Sequence, residues 1–284
     1  MQRKFITVSG PDEGTRRRIA YSSFGEPDNA RILVCVHGVS RLSRDFDRLA
    51  AALSGRYRVI CPDMAGRGDS DPLDRAEDYG YGVYLADIRA LLAELGAEKV
   101  HWVGTSMGGL IGMMLAADAN SPIERMVIND IGPVIPKEAL NRIGTYLGTA
   151  GSFKDLPAGE AYLRTVHATF GPLADDEWAE LASHSFRPAL DGKGLVLHYD
   201  PKIAEPFKAG SETDIVLWKI WDRIGCPVMV LRGAESDLLA SETAAEMATR
   251  GPKADITTLA GIGHAPALMN PAQIAIVRDW LAAG

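Results

Sequence analysis

The residues with the clearest chemical potential are Gly104-Thr105-Ser106-Met107-Gly108-Gly109. They follow a short β-branched run, Val100–Val103, and open an apolar stretch, Leu110–Ala117. A G-x-S-x-G pattern between a strand and a helix is the context of a nucleophile elbow. The serine sits on a strained turn with its hydroxyl projecting above the sheet. Gly104 and Gly108 are small because strand and helix approach closely there. A serine hydroxyl needs a base to take its proton. Of the six histidines, His264 is the candidate. It lies in Gly261-Ile-Gly-His264-Ala-Pro, after the last strand pattern and before the terminal helix. The base needs an acid to fix its tautomer. Asp237, just past the strand Val228–Leu231, is the first choice. Glu235 and Asp130 are the alternatives, Asp130 following the strand Met126–Ile128. An oxyanion requires two backbone N–H donors. Met107, directly after the serine, and Val39, in the loop His37-Gly38-Val39-Ser40, are expected to supply them. Gly38 lets the backbone approach, and His37 is expected to brace the loop.

These groups need a scaffold that brings distant loops to one edge. Ile32–Val36, Tyr57–Cys61, Val100–Val103, Met126–Ile128, Val228–Leu231 and Ile256–Leu259 read as buried strands. Their near-continuous hydrophobicity suits a parallel sheet covered on both faces. Phe5–Val8 and Arg18–Ser22 read as an antiparallel pair ahead of them. Ser43–Leu53, Tyr84–Leu95, Leu110–Ala117 and Ala272–Leu281 carry helical patterns between or after the strands. The alternation predicts a doubly wound α/β sheet. From Pro133 to Trp221 it stops, and helical patterns dominate: Glu138–Leu147, Gly159–Phe170 and Asp175–Ser185. This third of the chain holds ten of its twenty aromatics. It reads as an inserted helical cap, residues 133–221, on a core made of 1–132 and 222–284. The plainer role for its aromatics is packing the cap helices together. Tyr146, Phe170 and Trp218 are candidates for lining a pocket, but the sequence does not place them.

The length of 284 residues supplies ample apolar material, 46%, for a large core. A net charge of −7 argues against a phosphate-backbone binder, so no nucleic-acid partner is expected. Cys35, Cys61 and Cys226 have neither disulfide-framework nor metal-ligand spacing. No metal or other cofactor is expected, and no export or membrane segment is read, so a cytoplasmic protein is the expectation. The sequence gives no oligomeric state. The Asp63–Ser70 loop, with Gly66, Arg67 and Gly68, has no phosphate-cradle pattern and reads as structural. Arg41 and Arg44 follow the oxyanion loop, where they could meet a substrate carboxylate; solvated arginines at a helix start are the plainer reading.

Taken together, the His37-Gly38 loop, the Asp63–Ser70 loop, the elbow at Ser106, the acid loop at Asp237 and Gly263-His264 resemble the α/β-hydrolase superfamily. The overall look is that of small capped bacterial carboxylesterases. The resemblance implies a mostly parallel eight-stranded sheet flanked by helices, with a helical lid over the active site. It also implies a serine hydrolase that cleaves small carboxylic esters through an acyl-enzyme, using Ser106, His264 and Asp237. Ser106 stands where haloalkane dehalogenases and epoxide hydrolases carry Asp, which disfavours both. Meta-cleavage-product C–C hydrolases, lactonases and perhydrolases share the serine triad. Small-ligand-binding proteins of the same fold are the non-enzyme alternative, and the intact triad argues against them.

Overall fold

The structure, a computed structural model, describes residues 1–208 and 210–283. In the first half, β1 is Gln2–Ser9, β2 Arg16–Phe24, β3 Ile32–Val36, α1 Asp47–Leu53, β4 Arg58–Pro62, α2 Tyr81–Glu94, β5 Val100–Thr105, α3 Met107–Ala116 and β6 Ile123–Asn129. The chain then leaves the sheet through β7 Val134–Ile135, α4 Lys137–Tyr146, α5 Leu156–Val166, α6 Asp175–Ser185, β8 Phe186–Pro188 and β9 Leu195–Leu197. After α7 Glu205–Lys208, β10 Ile215–Val216 and α8 Trp218–Trp221 it returns to β11 Val228–Gly233, α9 Ser241–Met247, β12 Asp255–Leu259 and α10 Pro271–Ala282.

The main sheet has eight strands in the order β1-β2-β4-β3-β5-β6-β11-β12. The pairings β1–β2 and β2–β4 are antiparallel, and the others are parallel. β3 shows why its sequence is apolar throughout. Ile32, Val34 and Val36 face one core layer, with Trp102 and the α2–α3 side chains. Leu33 and Cys35 face the other, with Leu49 of α1 and Val277 and Leu281 of α10. Alternate side chains of a strand point to opposite faces, and here both faces are buried. Each such aliphatic side chain contributes about 1.5–3 kcal/mol on burial.

The register sets the place of the site. Val36 lies beside Gly104, Thr105 beside Asn129, Asn129 beside Leu231, and Gly233 beside Leu259. The carboxyl ends of β3, β5, β6, β11 and β12 therefore form one edge. Open α/β sheets collect functional groups at that edge.

The segment between β6 and β11 is helical, but it also contains strands that its sequence did not suggest. β7 pairs with β10, and β8 pairs with β9. They are only two or three residues long, too short for an alternation pattern to register. Five of its ten aromatics, Tyr146, Tyr199, Phe207, Trp218 and Trp221, pack against the main core, and the other five pack within the segment. Leu163, Trp178, Leu181 and Phe186 form a separate apolar cluster, with Phe153 5.0 Å from Tyr162 and 5.1 Å from Phe186 between ring centres. Arg48 of α1 ties this segment to the sheet, reaching Asp176 (3.0 Å), Glu177 (3.1 Å) and Glu180 (2.7 Å) of α6.

Candidate active site

Ser106 ends β5 and precedes α3, with φ 52° and ψ −115°. That positive φ is costly for serine and is held by its surroundings. The Ser106 N–H donates to Asn129 O at 3.0 Å. The Asn129 side chain reaches Thr105 Oγ1 (3.0 Å) and Pro266 O (2.8 Å), which joins the serine turn to the histidine loop. The tight crossing of strand and helix explains both motif glycines. A Cβ on Gly108 would lie 2.0 Å from Val36 O, and one on Gly104 would lie 2.3 Å from Gly108 O. Both are backbone atoms and cannot swing aside.

His264 lies on the loop between β12 and α10. Its Nε2 is 3.0 Å from Ser106 Oγ, and its Nδ1 is 2.8 Å from Asp130 Oδ2. Asp130, not Asp237, is the acid in contact with the histidine, and this corrects the expectation drawn from chain order. Asp130 is one residue beyond β6, fully buried, with φ 56°. Its Oδ1 accepts from Gly233 N–H at 2.8 Å, and its Oδ2 accepts from Ser236 Oγ at 2.6 Å. Asp237 turns the other way. It pairs with Arg142 of α4, with Nη2–Oδ1 at 2.9 Å, and both side chains are partly solvated. Glu235 is exposed. Ser236, the neighbour of both rejected acids, serves Asp130 instead.

The His37–Ser40 loop, from which an oxyanion donor was expected, is braced through buried groups. His37 Nε2 accepts from Met64 N–H at 3.0 Å, so its proton is on Nδ1, which donates to Gly38 O at 2.7 Å. In a trans peptide, C=O and N–H point in opposite directions. Holding Gly38 O on the His37 side thus turns the Val39 N–H to the other side. Arg67 Nε holds the next carbonyl, Val39 O, at 2.9 Å. Among the described residues, no acceptor faces the Val39 N–H. Met107 is the first residue of α3, where a helix leaves its N–H free and its dipole end is positive. Gly38 is less demanding than expected. A Cβ there would meet Ser106 Cβ at an ordinary 3.6 Å. Burial lowers the His37 pKa to about 4, so the ring is neutral and both nitrogens are occupied.

The Asp63–Ser70 loop carries more of the site than its turn chemistry indicated. Asp63 Oδ1 accepts from Ser43 N–H at 2.7 Å, and Ser70 Oγ donates to Asp63 O at 2.6 Å. Arg67 then reaches back to Val39. Residue types in a turn do not show that Arg67 is buried, so this contact had no signal in the sequence.

Two chambers open on Ser106. One, of about 260 Å³, is apolar, with Met107, Leu110, Ile131, Ile135, Leu140 and Phe207 among its walls. The other, of about 60 Å³, is more polar and includes Arg41, Arg142, His167, Phe170 and His264. Tyr146 also lines it, whereas Trp218 stacks under Arg250, 4.5 Å from it. Arg41 is not solvated. It is 6% exposed and grips Asp45 at 2.7 and 2.8 Å. Burial would raise the Asp45 pKa, but Arg41 and His184 pull it well below the carboxylate range. Arg44 does lie at the surface, paired with Asp47. Thr169, from the segment between β6 and β11, donates to His264 O at 2.6 Å and accepts from Gly263 N–H at 2.8 Å. Among the described residues, no group of three or more His, Cys, Asp or Glu could hold a metal ion. No described helix is long and apolar enough to cross a membrane.

This sheet, elbow and histidine loop define the α/β hydrolase class, and residues 33–276 match the α/β hydrolase family model. The chain belongs to that family and is a hydrolase. It is 47% identical over 270 residues to a 3-hydroxybutyrate-oligomer hydrolase of Cupriavidus necator, covering 93% of this chain and 92% of the relative. The crystal structure of an α/β hydrolase from Novosphingobium aromaticivorans matches with TM-score 0.86 and 35% identity over 99% of both chains. A Rickettsia typhi protein structure matches with TM-score 0.93 and 31% identity over the full length of both.

Proposed function

We propose that this protein hydrolyses linear oligomers of short hydroxy acids, 3-hydroxybutyrate oligomers foremost, through an acyl-enzyme on Ser106. The observation that carries the reading is the continuous relay Asp130–His264–Ser106, at 2.8 and 3.0 Å. The likeness to the Cupriavidus necator enzyme supplies the substrate class.

In this reading His264 Nε2 takes the Ser106 proton as Oγ attacks the ester carbonyl. Asp130 holds the Nδ1–H tautomer and stabilises the imidazolium. The N–H groups of Val39 and Met107 receive the developing oxyanion, a contribution of about 3–4 kcal/mol per donor. His264 returns the proton to the leaving alkoxide, and a water activated by the same ring releases the acid. Residues 133–221 act as a cap that closes the site from water.

The test is hydrolysis of p-nitrophenyl butanoate and of linear 3-hydroxybutyrate trimer by the wild type and by Ser106→Ala. Wild-type turnover of both is expected, with a loss of at least about 10⁴-fold in kcat for the variant. Turnover that persists in Ser106→Ala refutes the nucleophile. A wild type that cleaves the nitrophenyl ester but not the trimer refutes the substrate class.

A further inference from the structure

The two chambers at Ser106 differ in a way that gives the cleavage a direction. His264 lines the polar chamber and is not among the walls of the apolar one. The departing alkoxide must take its proton from His264 Nε2, so the leaving group lies on the polar side. The acyl group then extends past Met107 and Leu110 into the apolar chamber.

The polar chamber is lined by two guanidiniums, each paired with a carboxylate: Arg41 with Asp45, and Arg142 with Asp237 behind it. Of these, Arg41 is the buried one, whereas Arg142 is partly solvated. Asp45 engages only Nε and Nη2 of Arg41. Arg41 Nη1 has no hydrogen-bond partner among the described residues, and Arg41 is one of the residues that line the cavity. A buried guanidinium that lines a cavity and keeps a spare N–H can donate a charge-assisted hydrogen bond to a carboxylate there. His167 adds no charge to the chamber, because burial and then Arg41 lower its pKa to about 3 and keep it neutral. By contrast, the Arg67 guanidinium at the apolar chamber is committed to Val39 O, Ala65 O and Tyr84 OH.

We infer that the polar chamber is a carboxylate subsite for the leaving group, and that oligomers are trimmed one unit at a time from their carboxyl end. In a hydroxy-acid oligomer, the free carboxylate is two carbons beyond the last ester oxygen. Only the last ester places that carboxylate in the chamber that holds Arg41. The rest of the chain becomes the acyl group and takes the larger, apolar chamber. The step balances. Ser106 Oγ bonds to the carbonyl carbon, the C–O bond to the terminal unit breaks, and His264 gives that oxygen its proton. Water then forms the shortened acid and regenerates Ser106.

The directional claim rests on the proposed oligomer substrate, but the subsite can be tested apart from it. The first arm compares 3-butanoyloxybutanoate with its methyl ester, as kcat/KM for cleavage of the butanoyl ester. The free acid is expected to be preferred by about tenfold or more. Mono-ethyl succinate, whose carboxylate is on the acyl side, should gain no such preference over diethyl succinate. Arg41→Gln should bring the acid-to-methyl-ester ratio close to one. Arg41→Gln with Asp45→Asn avoids an orphaned carboxylate and should do the same in a folded protein. The second arm quenches a single turnover of trimer isotopically labelled in its carboxyl-terminal unit. The label should appear in the released monomer. A ratio near one in the wild type overturns the subsite, whatever the trimer does. Label retained in the dimer overturns the direction. An intact trimer with a preserved acid preference removes the oligomer substrate and leaves the subsite standing.

Discussion

Replacing Asp130 by Asn keeps its shape but removes the charge that holds His264 Nδ1–H. Asp130→Asn is expected to lower kcat on a nitrophenyl ester about 10⁴-fold. Asp237→Asn should change it less than about threefold, because Asp237 faces Arg142 at the surface. The reverse ranking would restore Asp237 as the acid. That Ser106, His264 and the His37–Ser40 loop meet at one sheet edge was legible because each follows a strand end in a short, distinctive run. The acid was not. Asp130 and Asp237 both fall between Ser106 and His264 in the chain, and both follow neighbouring strands, so order cannot separate them. The choice lies in how the backbone turns. Asp130 takes φ 56° directly at the end of β6 and is captured by Gly233 N–H. Asp237 is several residues further from its strand and swings outward. The buried state of Arg41 was equally hidden, since its partner Asp45 is a helix-start residue that reads as solvated.

At the scale of elements, α3 starts in close contact with the ends of both β3 and β5. Gly108→Ala puts a methyl group 2.0 Å from Val36 O. It should destabilise the fold by about 1–3 kcal/mol and abolish esterase activity, as read by urea melts and by turnover. A variant as stable and as active as the wild type would show that this contact relaxes freely. The core strands and α2, α3 and α10 were readable within a few residues, because each buries a periodic apolar face. The helix α9 escaped notice, since Ser241–Met247 is only seven residues with two buried side chains. The short strands β7 to β10 escaped for the same reason. In the Asp63–Ser70 loop, glycines and small polar residues advertised turns. They did not reveal that Arg67 reaches Val39, a contact between residues 28 apart.

Over the whole molecule, stability should depend on pH through His37. Its pKa is about 4 in the fold and 6.5 in an exposed chain. Between those values the unfolded chain binds a proton that the fold excludes, so stability falls as pH drops from 6.5 towards 4 and this loss ends below 4. His37→Gln lacks that term. The stability gap between wild type and variant should narrow by about 3 kcal/mol from pH 7 to pH 4, at about 1.4 kcal/mol per pH unit. A gap constant with pH would mean that His37 titrates normally in the fold. The same ring joins the His37–Ser40 loop to Met64, and Thr169 joins the β6–β11 segment to the histidine loop. Sheet edge, braced loop and covering segment thus converge on one hydroxyl. The most direct test of that convergence is trapping of the acyl-enzyme. Asp130→Asn, in which His264 is a weakened base for the second step, is mixed with p-nitrophenyl butanoate, quenched in acid, digested and weighed. The peptide containing Ser106 should carry one butanoyl group, and the Ser106→Ala protein should carry none. A butanoyl group on another residue and none on Ser106, with nitrophenol still released, would contradict covalent catalysis at Ser106.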